Sequence, residues 1–162
     1  MNAGLNSTAV RTCPECGASI RESGACIEHF HALLAREPEL LAQVTPAERR
    51  SVAHFYAVAS YVLQHPESMG YTADAHGGAR HLLSRHLSGQ VTLSGVRAAV
   101  RRAANGDRRI LRRPADRPAR RSTREWPITI VDVPTGNETA YWHRVVTWAE
   151  SVIRTLDADA AS

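Results

Sequence analysis

The chain has 162 residues, which is enough for one domain with tails but too few for two domains of ordinary size. Hydrophobic residues make up 43% and charged residues 22%, values that exclude a chain disordered throughout, a collagen-like repeat and a long coiled coil. The formal net charge is +4, and all 20 basic residues are arginine.

The first 12 residues lack apolar periodicity, and we expect residues 1–12 to form a mobile tail. They also lack a basic stretch followed by an apolar core, and no apolar run approaches the roughly 18 to 20 residues that span a bilayer. We therefore expect a cytoplasmic protein with no membrane partner, no secretory signal and no transmembrane helix.

A first helix is predicted to begin near Cys26. Its apolar face carries Phe30, Leu33 and Leu34. Pro38 biases Glu37 away from helical angles, so this helix should end or kink at Pro38.

The second predicted helix has a clearer start. Thr45 supplies a hydroxyl for the N-cap, Pro46 suits the first turn, and Glu48 completes a capping box. Apolar residues then recur at helical spacing, and Pro66 ends the helix. They are Val52, Phe55, Tyr56, Ala59, Val62 and Leu63.

Two further helices are predicted in the middle of the chain. The third runs from about Thr72 to Leu87 and is closed by Ser88 and Gly89. The fourth is capped by Ser94, runs to Ala104 and is ended by the Asn-Gly pair at 105–106.

An arginine-rich segment follows, and we interpret residues 105–124 as a loop or linker within the domain. Arg108 to Arg124 holds eight arginines and two prolines but only two large apolar residues, so it cannot bury a core. Its charge makes a nucleic-acid partner possible through phosphate contacts. Because aromatic residues for base stacking are missing, we favour a solvated loop or one that binds another partner.

The last part of the chain is predicted to contain one extended segment and one helix. Trp126 to Val133 is apolar and β-prone, so it is a short strand or an extended segment packed on the bundle. A final helix follows Asn137, and residues 157–162 form a second tail. The predicted fold is mostly α, a bundle of about five helices in one domain over residues 13–156, with an N-terminal zinc knuckle.

The knuckle is predicted from Cys13-Pro-x-Cys16-Gly17. Two residues between the thiolates let both sulfurs reach one ion at about 2.3 Å, and a glycine after them permits a tight turn. Cys26 is the third cysteine and a third candidate ligand. A redox pair or incidental cysteines are the alternatives, but no βαβ pattern of the kind that accompanies the redox motif is visible. We favour zinc.

The fourth ligand is a histidine with several candidates. His29 lies three residues after Cys26. His54 and His65 share a helix face, but a rise of about 16 Å separates them, so one ion cannot bind both. If helices one and two form a hairpin that turns between Pro38 and Thr45, Cys26 lies nearer the level of His54. We therefore predict that His54 completes the site, with His29 as the fallback.

These motifs together resemble a bacterial family catalogued as domain of unknown function 5946. The resemblance is carried by the cysteines, by His54-x6-Tyr61-x-x-Gln64-His65-Pro66, by Trp126-Pro-x-Thr-Ile-x-Asp-Val133 and by His143-x-x-Val-x-Trp-Ala149, and it covers roughly residues 13–156. It implies that the three cysteines and both histidine positions recur in the family, which favours His54 over His29. The arginine-rich stretch departs from the family pattern. The family has no established activity, so the resemblance implies no mechanism.

Other histidines admit a structural and a functional interpretation. His65, at the end of a helix, can cap the last carbonyls, or it can act as a general base or a second metal ligand. Our leading hypothesis is a structural zinc site in a protein with a binding or accessory role, whose protein or small-molecule partner the sequence does not identify. The alternative is a metal-dependent enzyme with a bundle pocket formed by His54, Tyr61, His65 and His81, in which Tyr61, His65 and His81 are the catalytic candidates. The third is an arginine-rich nucleic-acid-binding protein.

Overall fold

The structure is a computed structural model that describes residues 10–20, 25–106, 110–111 and 124–160. Within these residues the fold is mostly α, with five α-helices and one two-stranded antiparallel sheet. The strands are β1 (Arg11–Thr12) and β2 (Ser19–Ile20), and the helices are α1 (Cys26–Leu40), α2 (Ala47–Gln64), α3 (Ala73–Leu87), α4 (Leu93–Asn105) and α5 (Glu138–Ala160). The predicted five-helix bundle is confirmed.

The core lies chiefly between α2 and α5, the two longest helices. Both carry apolar residues at helical spacing, and the largest fully buried side chains include Trp148, Tyr61 and Tyr141. The α3 helix packs against both of them, α4 packs on α3, and α1 packs on α2. None of these helices is both long enough and apolar enough to cross a bilayer.

Most helix boundaries agree with the local signals. The α3 helix ends at Leu87 as predicted, and the Thr72 hydroxyl accepts a hydrogen bond from the Ala75 N–H at 3.2 Å. Two predicted caps were wrong. Thr92, not Ser94, caps α4, and α2 begins after Pro46 with no side-chain cap, so Thr45 lies outside the helix.

The first helix was predicted to end or kink at Pro38, and it does not end there, because α1 continues to Leu40. Pro38 lies in the last turn, where its missing N–H removes one helical hydrogen bond. The Leu41 N–H still donates to the Glu37 carbonyl at 2.9 Å. Leu40 and Leu41 are both buried, so packing holds the extra turn in place. The connection from α1 to α2 therefore turns later than the sequence suggested.

The apolar segment at 126–133 forms no strand. It is an extended segment with a short 3-10 helix at Ile130–Asp132, and it buries Ile128, Ile130 and Val133 against the bundle. Of the two predictions, a short strand or an extended segment packed on the bundle, the second is therefore confirmed.

The segments predicted to be tails or linker are described only in part. Arg11 and Thr12 form β1, and α5 continues through residues 157–160, so parts of both predicted tails are regular structure. Residues 1–9 and 161–162 lie outside the described residues. So does most of Arg108–Arg124, of which residues 110–111 are placed beside the start of α3, where the Ile110 carbonyl accepts from the Thr72 N–H at 2.9 Å.

Candidate metal centre

The N-terminal knuckle is a tight turn between β1 and β2. The Cys13 N–H donates to the Ala18 carbonyl at 2.9 Å, and the Gly17 N–H donates to the Cys13 carbonyl at 3.0 Å. Gly17 has a φ of 75°, a left-handed conformation that glycine adopts without steric cost. This turn brings the Cys13 and Cys16 side chains to the same side, as the Cys-Pro-x-Cys-Gly spacing predicts.

Four side chains meet at the inner side of this knuckle. They are Cys13, Cys16, Cys26 and His65, whose sulfur and nitrogen atoms all lie within 4.8 Å of one another. All four are buried, with exposures of 8%, 2%, 7% and 1%. The three cysteines are free thiols, and this is the only group of its kind among the residues that the structure describes.

Two of the distances between these atoms match the edges of a tetrahedral metal site, and the others are within 4.8 Å. Cys16 Sγ lies 3.7 Å from Cys26 Sγ, and Cys13 Sγ lies 3.6 Å from His65 Nε2. Zn–S bonds of 2.3 Å and a Zn–N bond near 2.0 Å at tetrahedral angles would separate two sulfurs by about 3.8 Å, and a sulfur from a nitrogen by about 3.6 Å. A disulfide would instead require about 2.05 Å between the sulfurs. The group therefore has the geometry and the donor atoms to hold one metal ion.

The ring of His65 is held in the orientation that a metal ligand needs. Its Nδ1–H donates to the Tyr61 carbonyl at 2.8 Å, so Nε2 is the nitrogen that faces the thiols. Such a bond fixes the tautomer and the ring plane of a metal-binding histidine. The Tyr61 ring lies between His65 and Phe30, stacked on each at centroid distances of 3.9 Å and 4.0 Å. His65 thus both caps a carbonyl of α2 and joins the cysteines.

The close approach of these groups perturbs their protonation. Hydrogen bonds from Cys16 and Cys26 lower the pKa of the Cys13 thiol, whereas the hydrogen bonds with Cys13 and Cys16, together with burial, raise that of Cys26. Burial by itself lowers the pKa of His65, but contact with the Cys13 and Cys16 sulfurs raises it to about 10. Three thiolates this close would repel one another. A divalent cation would remove that repulsion.

Glu15 makes a structural contact of the knuckle that the sequence did not reveal. Its buried carboxylate accepts from the Glu67 N–H at 2.7 Å and from the Ser68 N–H at 3.2 Å. Both N–H groups lie in the turn that follows α2, directly after Pro66. The contact fastens the tip of the knuckle to the turn after α2, and no spacing in the sequence indicates it.

His54, the predicted fourth ligand, does not join the cysteines. Its Nδ1–H donates to Glu37 Oε2 at 2.5 Å, and its side chain is 56% exposed. The hairpin reasoning failed because α1 extends to Leu40, which moves the turn toward α2 and pairs Phe30, one turn after Cys26, with Tyr61. The start of α1 therefore lies at the level of the end of α2, where His65 is.

The other candidates lie apart from the cysteines. His29, the fallback ligand, lines a surface pocket beside β2 and is half-buried, and His81 is exposed on α3. Tyr61 contacts the group through its ring, and burial, together with the nearby Cys26 sulfur, raises its pKa. The groove that contains His54 is lined by neither Tyr61, His65 nor His81. The four residues of the predicted enzyme pocket therefore do not share this cavity.

Gln64, next to His65 in the Tyr-x-x-Gln-His-Pro motif, has a structural role. It is 1% exposed, its Nε2 donates to the Ile128 carbonyl at 2.7 Å, and its Oε1 accepts from Trp148 Nε1 at 3.2 Å. One side chain thus joins α2 to α5 and to the extended segment. The motif combines a core contact at Gln64 with a metal-binding candidate at His65.

Comparison with known proteins identifies the family. The model of the family described as "Family of unknown function (DUF5946)" matches residues 11–157, which include the knuckle and all five helices up to the last turn of α5. The chain therefore belongs to this family. No curated protein and no solved structure matches it.

Proposed function

We propose that this member of DUF5946 is a cytoplasmic zinc-binding helical protein in which a structural Cys3His zinc site supports a binding or accessory role. The ligands would be Cys13, Cys16, Cys26 and His65. His65 replaces His54 in this proposal because it supplies the fourth donor atom beside the three sulfurs. The zinc would fasten the knuckle to the start of α1 and the end of α2.

The observation that carries the proposal is the paired spacing of 3.7 Å between two sulfurs and 3.6 Å between the third sulfur and the imidazole nitrogen. Three thiolates and one imidazole form a soft donor set that suits zinc and suits neither calcium nor magnesium. An iron site of the rubredoxin kind would take four thiolates, and the described residues place only three here. Zinc is therefore the metal that these ligands favour.

A structural role is favoured over catalysis by the ligand number and the burial. Catalytic zinc usually keeps one coordination position for water, whereas Cys3His sites are closed. All four donors here are at most 8% exposed, and Tyr61 covers His65. The enzyme hypothesis would need an open position, and the arginine-rich nucleic-acid hypothesis rests on residues that lie mostly outside the described part of the chain.

The test is metal analysis followed by cobalt substitution. We expect about one zinc per purified chain, and a cobalt-substituted protein with intense visible bands and sulfur-to-cobalt charge transfer, as for a tetrahedral thiolate site. Added cyanide or azide should leave this spectrum unchanged because no position is open.

Two results would contradict the proposal in different ways. Protein that contains no stoichiometric metal and gains no stability in excess zinc would remove the metal site itself. A cobalt spectrum that shifts with added anion would keep the site but assign it an exchangeable position, and so favour the enzyme.

A further inference from the structure

A groove of about 800 Å³ lies between the end of α1, one face of α2 and α4. None of the four metal-binding candidates lines it. Its volume falls within the range of about 300 to 1,000 Å³ that is typical of small-molecule sites. Apolar side chains make up much of its surface, and they are Leu41, Phe55, Val58, Leu93, Val96 and Val100.

Three arginines line the same groove, namely Arg50, Arg97 and Arg101. Within the described part of the chain none of them forms an ion pair. Arg50 Nε donates to the Val44 carbonyl at 3.2 Å, and Arg97 Nη2 donates to the Ser51 hydroxyl at 2.7 Å. These bonds to neutral acceptors orient two guanidinium groups without neutralising them. Each keeps further N–H donors for an anion.

The only acid that lines the groove among the described residues is already occupied. Glu37 is 5% exposed, and its two oxygens accept from the Tyr141 hydroxyl and from His54 Nδ1, each at 2.5 Å. A buried carboxylate is costly unless it is fully hydrogen-bonded, which these two donors achieve. Glu37 therefore serves to orient His54, whose Nε2 is left to meet a ligand.

His54 is paired with Glu37, so the carboxylate balances its charge and the net positive charge of the groove comes from the three arginines. The hydrogen bond with Glu37 raises the pKa of His54, which favours the imidazolium form. Around an apolar surface the groove thus presents three guanidinium groups and an imidazole supported by a buried carboxylate. A cationic rim over an apolar floor complements a molecule that carries an acid group on an apolar body.

We propose that this groove binds a small organic anion with an apolar chain, whose acid group is held by Arg97 and Arg101. Arg50 and His54 complete the anion-binding rim, and the apolar chain lies on the floor formed by α2 and α4. Charge and apolar lining argue together for this occupant, because a nucleic acid would use the arginines but leave the apolar floor uncovered. The site is independent of the zinc proposal.

Isothermal titration with decanoate, below its critical micelle concentration, tests the proposal on the full chain. We expect saturable binding of one decanoate, weakened about tenfold by Arg97→Gln or Arg101→Gln, since a charge-assisted hydrogen bond contributes about that factor. His54→Gln should also weaken it. Arg102→Gln is the matched control, because Arg102 lies next to Arg101 on α4, is exposed and does not line the groove.

The neutral analogue decanol separates charge recognition from simple apolar uptake. The anion site is supported if wild type binds decanol more weakly than decanoate and if Arg97→Gln binds the two with similar affinity. Equal affinity for both, the same loss in Arg102→Gln, or no saturable binding of decanoate would overturn the proposal. Zinc content, measured on every variant, should stay constant. Failure of the anion-binding proposal would therefore leave the zinc proposal standing, and failure of the zinc proposal would leave the anion-binding proposal standing.

Discussion

His65 Nε2 lies 3.6 Å from Cys13 Sγ, although 52 residues separate the two in sequence. The contact joins the turn near the N-terminus to the last residue before Pro66, at the end of the most buried helix. The start of α1 lies at the level of the end of α2, so the knuckle that precedes α1 lies beside His65. The relationship makes His65, and not His54, the residue on which metal binding should depend.

We predict that His65→Ala releases the metal while His54→Ala retains it. Removing the imidazole leaves three thiolates and an open coordination position. Loss of a residue that only hydrogen-bonds a zinc ligand lowers zinc affinity 10- to 100-fold, and loss of a ligand itself should lower it by more than that. The measurement is zinc per chain after dialysis against a mild chelator. The opposite outcome, with zinc lost from His54→Ala only, would require a different pairing of α1 with α2.

Metal removal should loosen the knuckle before it unfolds the bundle. Residues 10–20 contact the rest of the chain through the cysteine–histidine group, through Glu15 and through two buried apolar residues, Ala18 and Ile20, whereas α2 and α5 share a larger apolar core. We expect a strong chelator, or Cys16→Ser, to lower the melting temperature by several degrees and to expose the N-terminal segment to limited proteolysis. Identical proteolysis patterns and melting temperatures with and without chelator would contradict this.

Gln64→Ala should destabilise the fold without releasing the metal. The change leaves the Ile128 carbonyl and Trp148 Nε1 without their buried partner, and each unsatisfied group costs about 1–3 kcal/mol. Chemical denaturation should therefore show a loss of about 2–6 kcal/mol. Gln43→Ala is the control, because Gln43 is exposed and its replacement should change stability by less than about 0.5 kcal/mol. A Gln64→Ala loss no larger than that of the control would show that the two contacts contribute nothing.

The contact between His54 and Glu37 should make stability depend on pH. The hydrogen bond with Glu37 raises the pKa of His54 in the folded state above its unfolded value of about 6.5. A group with a raised pKa stabilises the fold fully below its unfolded pKa, and this contribution is lost as the pH rises through the folded pKa. Because the His54 side chain is 56% exposed, the effect should be at most about 1 kcal/mol.

The pH prediction is tested by comparing wild type with His54→Gln from pH 5.5 to 9. The difference in unfolding free energy should be largest near pH 6 and should shrink toward pH 9. His143→Gln, at an exposed position of α5, should follow the wild type throughout. A difference that grows as the pH rises would reverse the sign and rule out a protonated His54 in the folded protein.

Much of the fold could be predicted from the sequence because the signals are local. Apolar residues at helical spacing, or end signals in the case of α4, identified all five helices, and Thr72 and Ser88 mark the ends of α3 as predicted. The end of α1 was missed because packing overrode local preference there. Buried Leu40 and Leu41 hold α1 together beyond Pro38, a residue that by itself indicates a helix end.

The candidate metal site also has a part that local sequence predicted and a part that it did not. Cys13 and Cys16 are close in sequence, so their spacing and Gly17 were enough to predict a shared turn. Cys26 was also a predicted candidate, and the structure places its sulfur beside that of Cys16, ten residues away in sequence. It also shows Glu15 and Glu37 as buried carboxylates whose partners lie far along the chain, and no local pattern announces such contacts.

What the sequence determined by itself is therefore the set of helices and the cysteine turn, since each depends on residues within a few positions of one another. What only the tertiary structure decided is which histidine meets the cysteines. His54 and His65 lie on one helix at about the same angle around its axis, and they differ by about 16 Å along it. The position of the α1–α2 turn decides which of the two histidines lies level with the cysteines. The packing of Leu40, Leu41 and the Phe30–Tyr61 ring pair sets that position.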